Sequence, residues 1–361
     1  MSAPTTLPHR GLTGVTPRTA TLEDESYLEY LQEVRNLAIR RMFPRLAGQL
    51  VQATARRGYD NAGQEAPMDE VLDAAAELPL SGTWKRVMRS QQALTWEKIQ
   101  ATHGAHRAQF EAELEHAETQ RPDRLHYDAD FEVPEYATYP IHLQPGGYVG
   151  DSLAGYVFHH GTRVFYQGDN DQDELHQQVV DTLAAPADGK IAKVLDVGCS
   201  IGQCTTLLKQ AHPDAEIWGL DVGLPLLRYG HKRAVELDVD VHFKLGLAEA
   251  LPFADGEFDC VLAYILFHEV PERLFQPIIN EIHRVLRPGG TFTVVDAPNN
   301  TQLPAPNRLW QEFDARFNCE PYAPAFVASN LPGMLGTAGF SDINQFPTPT
   351  FLSGTTAVKS A

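Results

Sequence analysis

The chain has 361 residues, 43% hydrophobic and 21% charged, enough to bury one large core or two ordinary ones. A formal net charge of −18 disfavours nucleic acid as substrate or partner, because phosphate binding draws on clustered Lys and Arg. No apolar run is long enough to span a bilayer and no apolar signal core stands at the N-terminus, so a cytoplasmic location without membrane attachment is expected. Cys199, Cys204, Cys260 and Cys319 form no Cys-x-x-Cys pair and read as free thiols of a reducing compartment.

Residues 1–20 are rich in Pro, Thr and Gly and are expected to be a disordered tail. Helix is predicted from Thr21, where a capping hydroxyl precedes Glu23, Asp24 and Glu25. Tyr27, Leu28, Leu31, Val34, Leu37 and Ala38 recur on one face, and Pro44 is expected to break or kink the helix before 46–55 resumes it. Residues 58–66 read as a loop, 68–78 as a short helix and 84–117 as a long one. His103 and His106 on that long helix could share a metal, but no third ligand is near and helix packing is the stronger reading. Residues 21–120 thus make an N-terminal helical region, which also offers a route to a homodimer.

Residues 121–185 form a connector of another character. Six of the chain's twelve tyrosines fall here, among them Tyr148 and Tyr156, around the turn Pro145-Gly146-Gly147. Two readings stand equal: a lid or acceptor pocket, with Tyr148 and Tyr156 touching substrate, or a hydrophobic seam. His159 and His160 share that ambiguity.

From residue 186 to the C-terminus strands and helices alternate. Strands are predicted at 191–197, 215–220, 241–244, 258–264 and 290–296, with a closing pair near 341–345 and 351–358. Helices are predicted at 203–211, 224–237, 272–286, 306–317 and 325–338. This is an α/β pattern, a parallel sheet covered on both faces.

The first strand stops at Gly198, and Gly202 opens the next helix. Absent side chains let backbone approach a ligand there, and the helix N-terminus offers free N–H groups. Asp221, at the tip of the second strand, is placed to accept both hydroxyls of a ribose. The unit reads as a nucleoside-binding βαβ. A dinucleotide fingerprint requires Gly-x-Gly-x-x-Gly, and Ser200 stands at the middle glycine. Asp196 would repel a pyrophosphate but help hold a cationic amino-acid group.

Asp196-Val197-Gly198-Cys199-Ser200-Ile201-Gly202 resembles motif I of the class I S-adenosylmethionine-dependent methyltransferases, usually Asp/Glu-x-Gly-x-Gly/Ser-x-Gly. Residues 246–259 resemble the family's segment after the third strand, usually Gly-Asp-Ala-Glu-x-Leu-Pro-Phe, except that Leu247 replaces the aspartate that contacts adenine. Phe258-Asp259, Leu286-Arg287-Pro288-Gly289-Gly290 and the Ala338-Gly339-Phe340 turn follow in the family's order, so the resemblance spans about 190–345.

The resemblance implies a Rossmann-like methyltransferase sheet binding S-adenosyl-L-methionine and acting on a small-molecule acceptor. It implies cofactor contacts at Asp196, Gly198, Cys199, Gly202, Asp221, Val222, Leu224, Ala248, Glu249 and Tyr264, and no metal. His268, at the exit of the fourth strand, is a candidate base with a pKa naturally near working pH, weighed against packing. Glu269 could orient it or bind the acceptor, and Asp296 is the other carboxylate expected to face the cleft. His283 reads as structural. The aromatics lean towards an apolar or aromatic acceptor, as in secondary-metabolite tailoring. An NAD-dependent oxidoreductase and a non-catalytic nucleoside-binding scaffold remain the alternatives.

Overall fold

The computed structural model describes residues 10–60, 62–299, 303–350 and 352–360. Residues 1–9 of the expected tail lie outside that range. Residues 10–20 do not continue a disordered tail: Leu12–Thr13 (β1) and Thr16–Pro17 (β2) pair as a hairpin. Distant polar groups hold it, since Val15 N–H donates to the Asp171 carbonyl at 2.7 Å and the Pro17 carbonyl accepts from His160 Nε2 at 2.7 Å.

The Thr21 hydroxyl caps α1 (Leu22–Leu37) by accepting from Asp24 N–H. Pro44 does not break the chain of helices. A π-helical turn, Ala38–Met42, intervenes before α2 (Phe43–Arg56), and Phe43 N–H reaches back five residues to the Ala38 carbonyl. That wider turn relieves the clash a proline ring makes inside an α-helix. α3 (Met68–Ala76) follows, then α4 (Pro79–Gly104) and α5 (Arg107–Gln120). The single helix expected at 84–117 is therefore two, parted at Ala105 and His106.

The connector holds a two-residue strand β3 (Leu125–His126), 3-10 turns at Glu135–Thr138 and Ile141–Leu143, α6 (Ala154–Phe165) and α7 (Glu174–Val180). Then come β4 (Lys193–Val197), α8 (Gln203–Ala211), β5 (Glu216–Asp221), α9 (Leu224–Glu236), β6 (His242–Leu245) and β7 (Phe258–Tyr264). A 3-10 turn, Phe267–Glu269, precedes α10 (Phe275–Val285) and β8 (Leu286–Asp296). The C-terminal part contains α11 (Ala305–Phe317), α12 (Ala323–Ala328), α13 (Leu331–Thr337), β9 (Phe340–Pro347) and β10 (Ser353–Lys359). Phe351, the start of the last predicted strand, is outside the described residues. The helix expected at 325–338 is α12 and α13, separated at Ser329 and Asn330.

Apart from the β1–β2 hairpin, the strands form one sheet in the order β3-β6-β5-β4-β7-β8-β10-β9. Pairings from β3 to β8 are parallel, and β10 runs antiparallel to both β8 and β9. The sheet is thus mixed, because the short link between β9 and β10 permits only an antiparallel return. Side chains alternate across β4: Leu195 and Val197 join Val261, Ile278 and Phe292 on one face, while Val194 joins Ile217, Phe243 and Leu262 on the other. Both faces are buried, as the near-continuous apolar strands require.

A third cluster packs Leu46, Leu50, Val71 and Trp84 of the helical region against Leu309 and Phe313 of α11. The N-terminal helices therefore share their core with a C-terminal helix. Strand order reverses beside β4, where chain leaving β6 crosses back to β7, and a crevice opens at the carboxyl ends of these strands. The crevice lies between the sheet and a roof of α1, the π turn, the connector and α11.

Candidate active site

A cavity of about 780 Å³ runs from the loop after β4 to the helical roof. The loop is pinned to β5, since Gly198 and Cys199 N–H both donate to the Leu220 carbonyl, at 2.8 and 3.0 Å. Gly198 (φ +76°) and Gly202 (φ +72°) take left-handed backbone, and a Cβ at Gly202 would come within 2.5 Å of the Phe243 ring. Ser200 also has positive φ, +50°, and its N–H donates to Asp221 Oδ2 at 2.8 Å. Asp221 Oδ1 accepts from Gly223 N–H at 2.8 Å. One carboxylate thus fixes both the glycine loop and the start of α9. Asp196 is 1% exposed and accepts from the Thr205 hydroxyl at 2.6 Å. Burial, with the nearby Asp221 charge adding, pushes its pKa up to about 7.

Of the residues expected to touch the cofactor, Asp196, Gly198, Cys199, Asp221, Val222, Ala248, Glu249 and Tyr264 line the cavity. Gly202 shapes the loop without lining the cavity, and Leu224 packs on the apolar cluster under α9, leaving Leu226 to face the space. Ser200 Oγ and Glu249 Oε2 are buried with no hydrogen-bond partner among the described residues, and both residues line the cavity. Orphaned polar atoms on and beside a glycine-flanked loop fit a nucleoside ligand with a cationic amino-acid end, as S-adenosylmethionine is. Tyr136, from the connector, donates to Glu249 Oε1 at 2.7 Å over this end of the cavity.

Across from the loop, His268 Nδ1 lies 2.5 Å from Asp296 Oδ1. Asp296 also accepts from Phe267 N–H at 2.8 Å and Ala297 N–H at 2.6 Å. These donors hold Asp296 behind His268, so it does not line the cavity, contrary to expectation. Nδ1 is committed to the carboxylate, and Nε2 has no hydrogen-bond partner among the described residues. A pKa near neutrality is not found either. Burial alone would lower it, but the Asp296 charge and hydrogen bond outweigh burial and hold it up at about 10.

Glu269 Oε1 accepts from the Tyr148 hydroxyl at 3.2 Å and lies 3.7 Å from His142 Nε2. His142 Nδ1 is 2.8 Å from Glu320 Oε1, which also accepts from Asn318 at 3.1 Å. Burial disfavours the His142 cation, but Glu320 and Glu269 overcome that and raise its pKa. Tyr148, Phe158, Phe165 and Tyr166 of the connector line this half.

Tyr156 does not line the cavity: it is 2% exposed, and its hydroxyl donates to Glu113 at 2.9 Å. One turn of α6 places it towards α5 and α9 instead of the crevice. His103 bonds the Ile99 carbonyl at 2.9 Å and packs against His160, as a helix-packing residue does. His159 is held between Thr16 and Tyr229, and His283 packs edge-on to Phe340. Arg35, His142, Trp310, Asp314 and Glu320 also line the cavity, and none carried a local signal in the sequence.

A methyltransferase-domain family model matches residues 194–290. An uncharacterized methyltransferase of Synechocystis is 35% identical over 176 residues, covering 48% of this chain and 77% of that protein. A fatty-acid O-methyltransferase of Mycolicibacterium smegmatis is 35% identical over 141 residues, covering 37% of this chain and about half, 49%, of that protein. The solved geranyl diphosphate C-methyltransferase of Streptomyces coelicolor overlays with TM-score 0.44 at 14% identity, covering 55% of this chain and 84% of that one. No helix among the described residues is long and apolar enough to cross a membrane.

Proposed function

The chain belongs to the class I S-adenosylmethionine-dependent methyltransferases, and on that premise we propose that it methylates an ionisable oxygen of a small, largely apolar or aromatic acceptor. The observation that carries this reading is the Asp296–His268 pair at a cavity wall, opposite the loop of Asp196, Gly198 and Asp221. The cavity's volume and its aromatic lining support a small molecule.

Asp196, Gly198, Cys199 and Ser200 would hold the amino-acid end of S-adenosylmethionine, Asp221 the ribose, and Val222, Ala248 and Glu249 the adenine. Bound there, the cofactor supplies a methyl group on an electrophilic sulfonium. Phe158, Phe165 and Tyr148 exclude water and confine the acceptor, so that alignment lowers the barrier. Asp296 fixes the His268 ring by taking Nδ1–H. Held cationic by Asp296, His268 presents Nε2–H to the acceptor oxygen and pairs with it as the oxyanion, the hydroxyl proton having passed to solvent as the acceptor binds. Glu269, restrained by Tyr148, borders the same space and orients the acceptor.

Incubation with S-adenosylmethionine and a panel of phenols, hydroxyaryl acids and aliphatic acids, scored by S-adenosylhomocysteine formation, tests the proposal. His268→Ala should slow turnover roughly 10²-fold on an active acceptor. A near-normal rate at saturating acceptor would reduce His268 to packing. Tight S-adenosylhomocysteine binding with no turnover on any acceptor would favour a non-catalytic nucleoside-binding scaffold.

A further inference from the structure

Arg35, in the last turn of α1, is 4% exposed yet lines the cavity. Its Nε donates to the Phe165 carbonyl at 3.0 Å, and its guanidinium carbon sits 4.0 Å over the Phe165 ring. The two terminal nitrogens have no hydrogen-bond or ion-pair partner among the described residues. A buried guanidinium in that state is costly unless something else meets its fork of donors.

The carboxylates nearest in charge do not meet it. Glu320 is engaged by His142 and Asn318. Burial, and then Glu320, push the Asp314 carboxyl well above its usual range, and it makes no hydrogen bond or ion pair to Arg35 among the described residues. Arg35 stays cationic, since burial lowers its pKa only to about 10. Contacts run from Arg35 to the Phe165 ring at 4.0 Å, from Phe165 to the His142 ring at 5.0 Å, and from His142 to Glu269 at 3.7 Å. Arg35 thus makes no contact with His268 among the described residues and borders a different part of the cavity wall.

The π turn explains how Arg35 comes to share the cavity with Ile39 and Phe43. In an unbroken α-helix a residue eight places on has drifted about 80° around the axis. The wider π winding holds all three on the crevice side, giving an apolar strip that ends in an arginine fork.

We propose that Arg35 docks an anionic substituent, a carboxylate or a phosphate, carried by the acceptor at the end remote from the methylated atom. The acceptor is then an elongated molecule with an apolar body along Ile39, Phe43 and Trp310. This rests on the methyltransferase reading, and the test separates the two.

Calorimetry in saturating S-adenosylhomocysteine compares phenylacetate, 4-phenylbutanoate and 6-phenylhexanoate, and the phenylalkyl phosphates of the same lengths, with the matching neutral alcohols. Wild type should bind at least one anion about ten-fold or more tighter than its alcohol. Which series wins tells carboxylate from phosphate. Arg35→Met should abolish the preference and leave S-adenosylhomocysteine affinity unchanged, while Arg35→Lys should retain part of it. Equal binding of anions and alcohols by wild type would overturn the proposal, as would a preference that survives Arg35→Met. Loss of S-adenosylhomocysteine affinity in a folded Arg35→Met protein would assign Arg35 to the cofactor's own carboxylate instead. Should Arg35→Met not fold, the wild-type comparison and Arg35→Lys decide, an undiminished preference in Arg35→Lys counting against the fork. Failure of wild type to bind S-adenosylhomocysteine at all would defeat the underlying reading first.

Discussion

Replacing Asp221 by alanine should damage two things at once, and they are measured separately. Both carboxylate oxygens already accept a backbone N–H, from Ser200 and Gly223, each at 2.8 Å. Removing a charged acceptor strands those buried donors at about 1–3 kcal/mol each before relaxation, so stability should fall by roughly 2–5 kcal/mol. Ser200 loses the bond that holds its left-handed backbone, and the glycine loop loosens with it. The ribose loses its acceptors too, a further 1–3 kcal/mol or so, which is roughly 5–150-fold in affinity. Thermal unfolding without ligand reads the first term, and calorimetric titration with S-adenosylhomocysteine below the unfolding temperature reads the second. Asp221→Asn, which keeps the shape but offers one acceptor oxygen, should fall between wild type and alanine. If Asp221→Ala binds S-adenosylhomocysteine within about two-fold of wild type, Asp221 holds the loop alone and the ribose assignment fails.

Asp296→Asn should move the alkaline limb of the pH–rate profile. Against burial, the Asp296 charge and hydrogen bond do most to hold the His268 pKa up at about 10, and a neutral amide leaves only the weaker support of Glu269 and Glu320. Initial rates at saturating acceptor between about pH 6 and 11 should show activity lost at lower pH than in wild type, and an unmoved limb would separate His268 from the rate. Acid stability gives an independent check. Burial holds His103 and His176 at about 3, against an ordinary 6.5. Between those values the unfolded chain binds more protons, so stability is full above pH 6.5 and falls as pH drops towards 3. Two such groups give a slope of at most about 2.7 kcal/mol per pH unit. Urea unfolding from pH 7 to 4 should be flatter for His103→Gln/His176→Asn, and identical slopes would refute it.

The legible parts of this protein are those whose cause is local. Gly198 and Gly202 mark the loop because left-handed backbone favours glycine, and the helix at 203–211 follows to the residue. Strands of the sheet could be read from continuous apolar runs because both faces are buried. Asp221 was readable because the end of the second strand is a fixed place in any βαβ unit. By contrast, Leu125–His126 is too short to carry a periodic signal, and it joins the sheet only because β6 offers an edge. The β1–β2 hairpin depends on Asp171 and His160, far along the chain. Tyr148 and Tyr156 looked alike in the sequence, yet one faces the cavity and the other Glu113.

His268 shows where the division falls. Its position at a strand exit, and so its candidacy, could be placed from the pattern alone. Its protonation could not, because that depends on a carboxylate from the next strand and on burial, both products of packing. The acceptor wall goes further in the same direction. Arg35, His142 and Glu320 come from three separate stretches and acquire meaning only when the helical roof closes on the sheet. The sequence by itself determined the α/β unit, its glycine loop and the cofactor that suits it, since each follows from backbone conformation and spacing within a few tens of residues. Only the tertiary structure decided which charges are buried, which are paired and which are left for a ligand, because desolvation and Coulomb energy depend on distances between residues far apart in the chain.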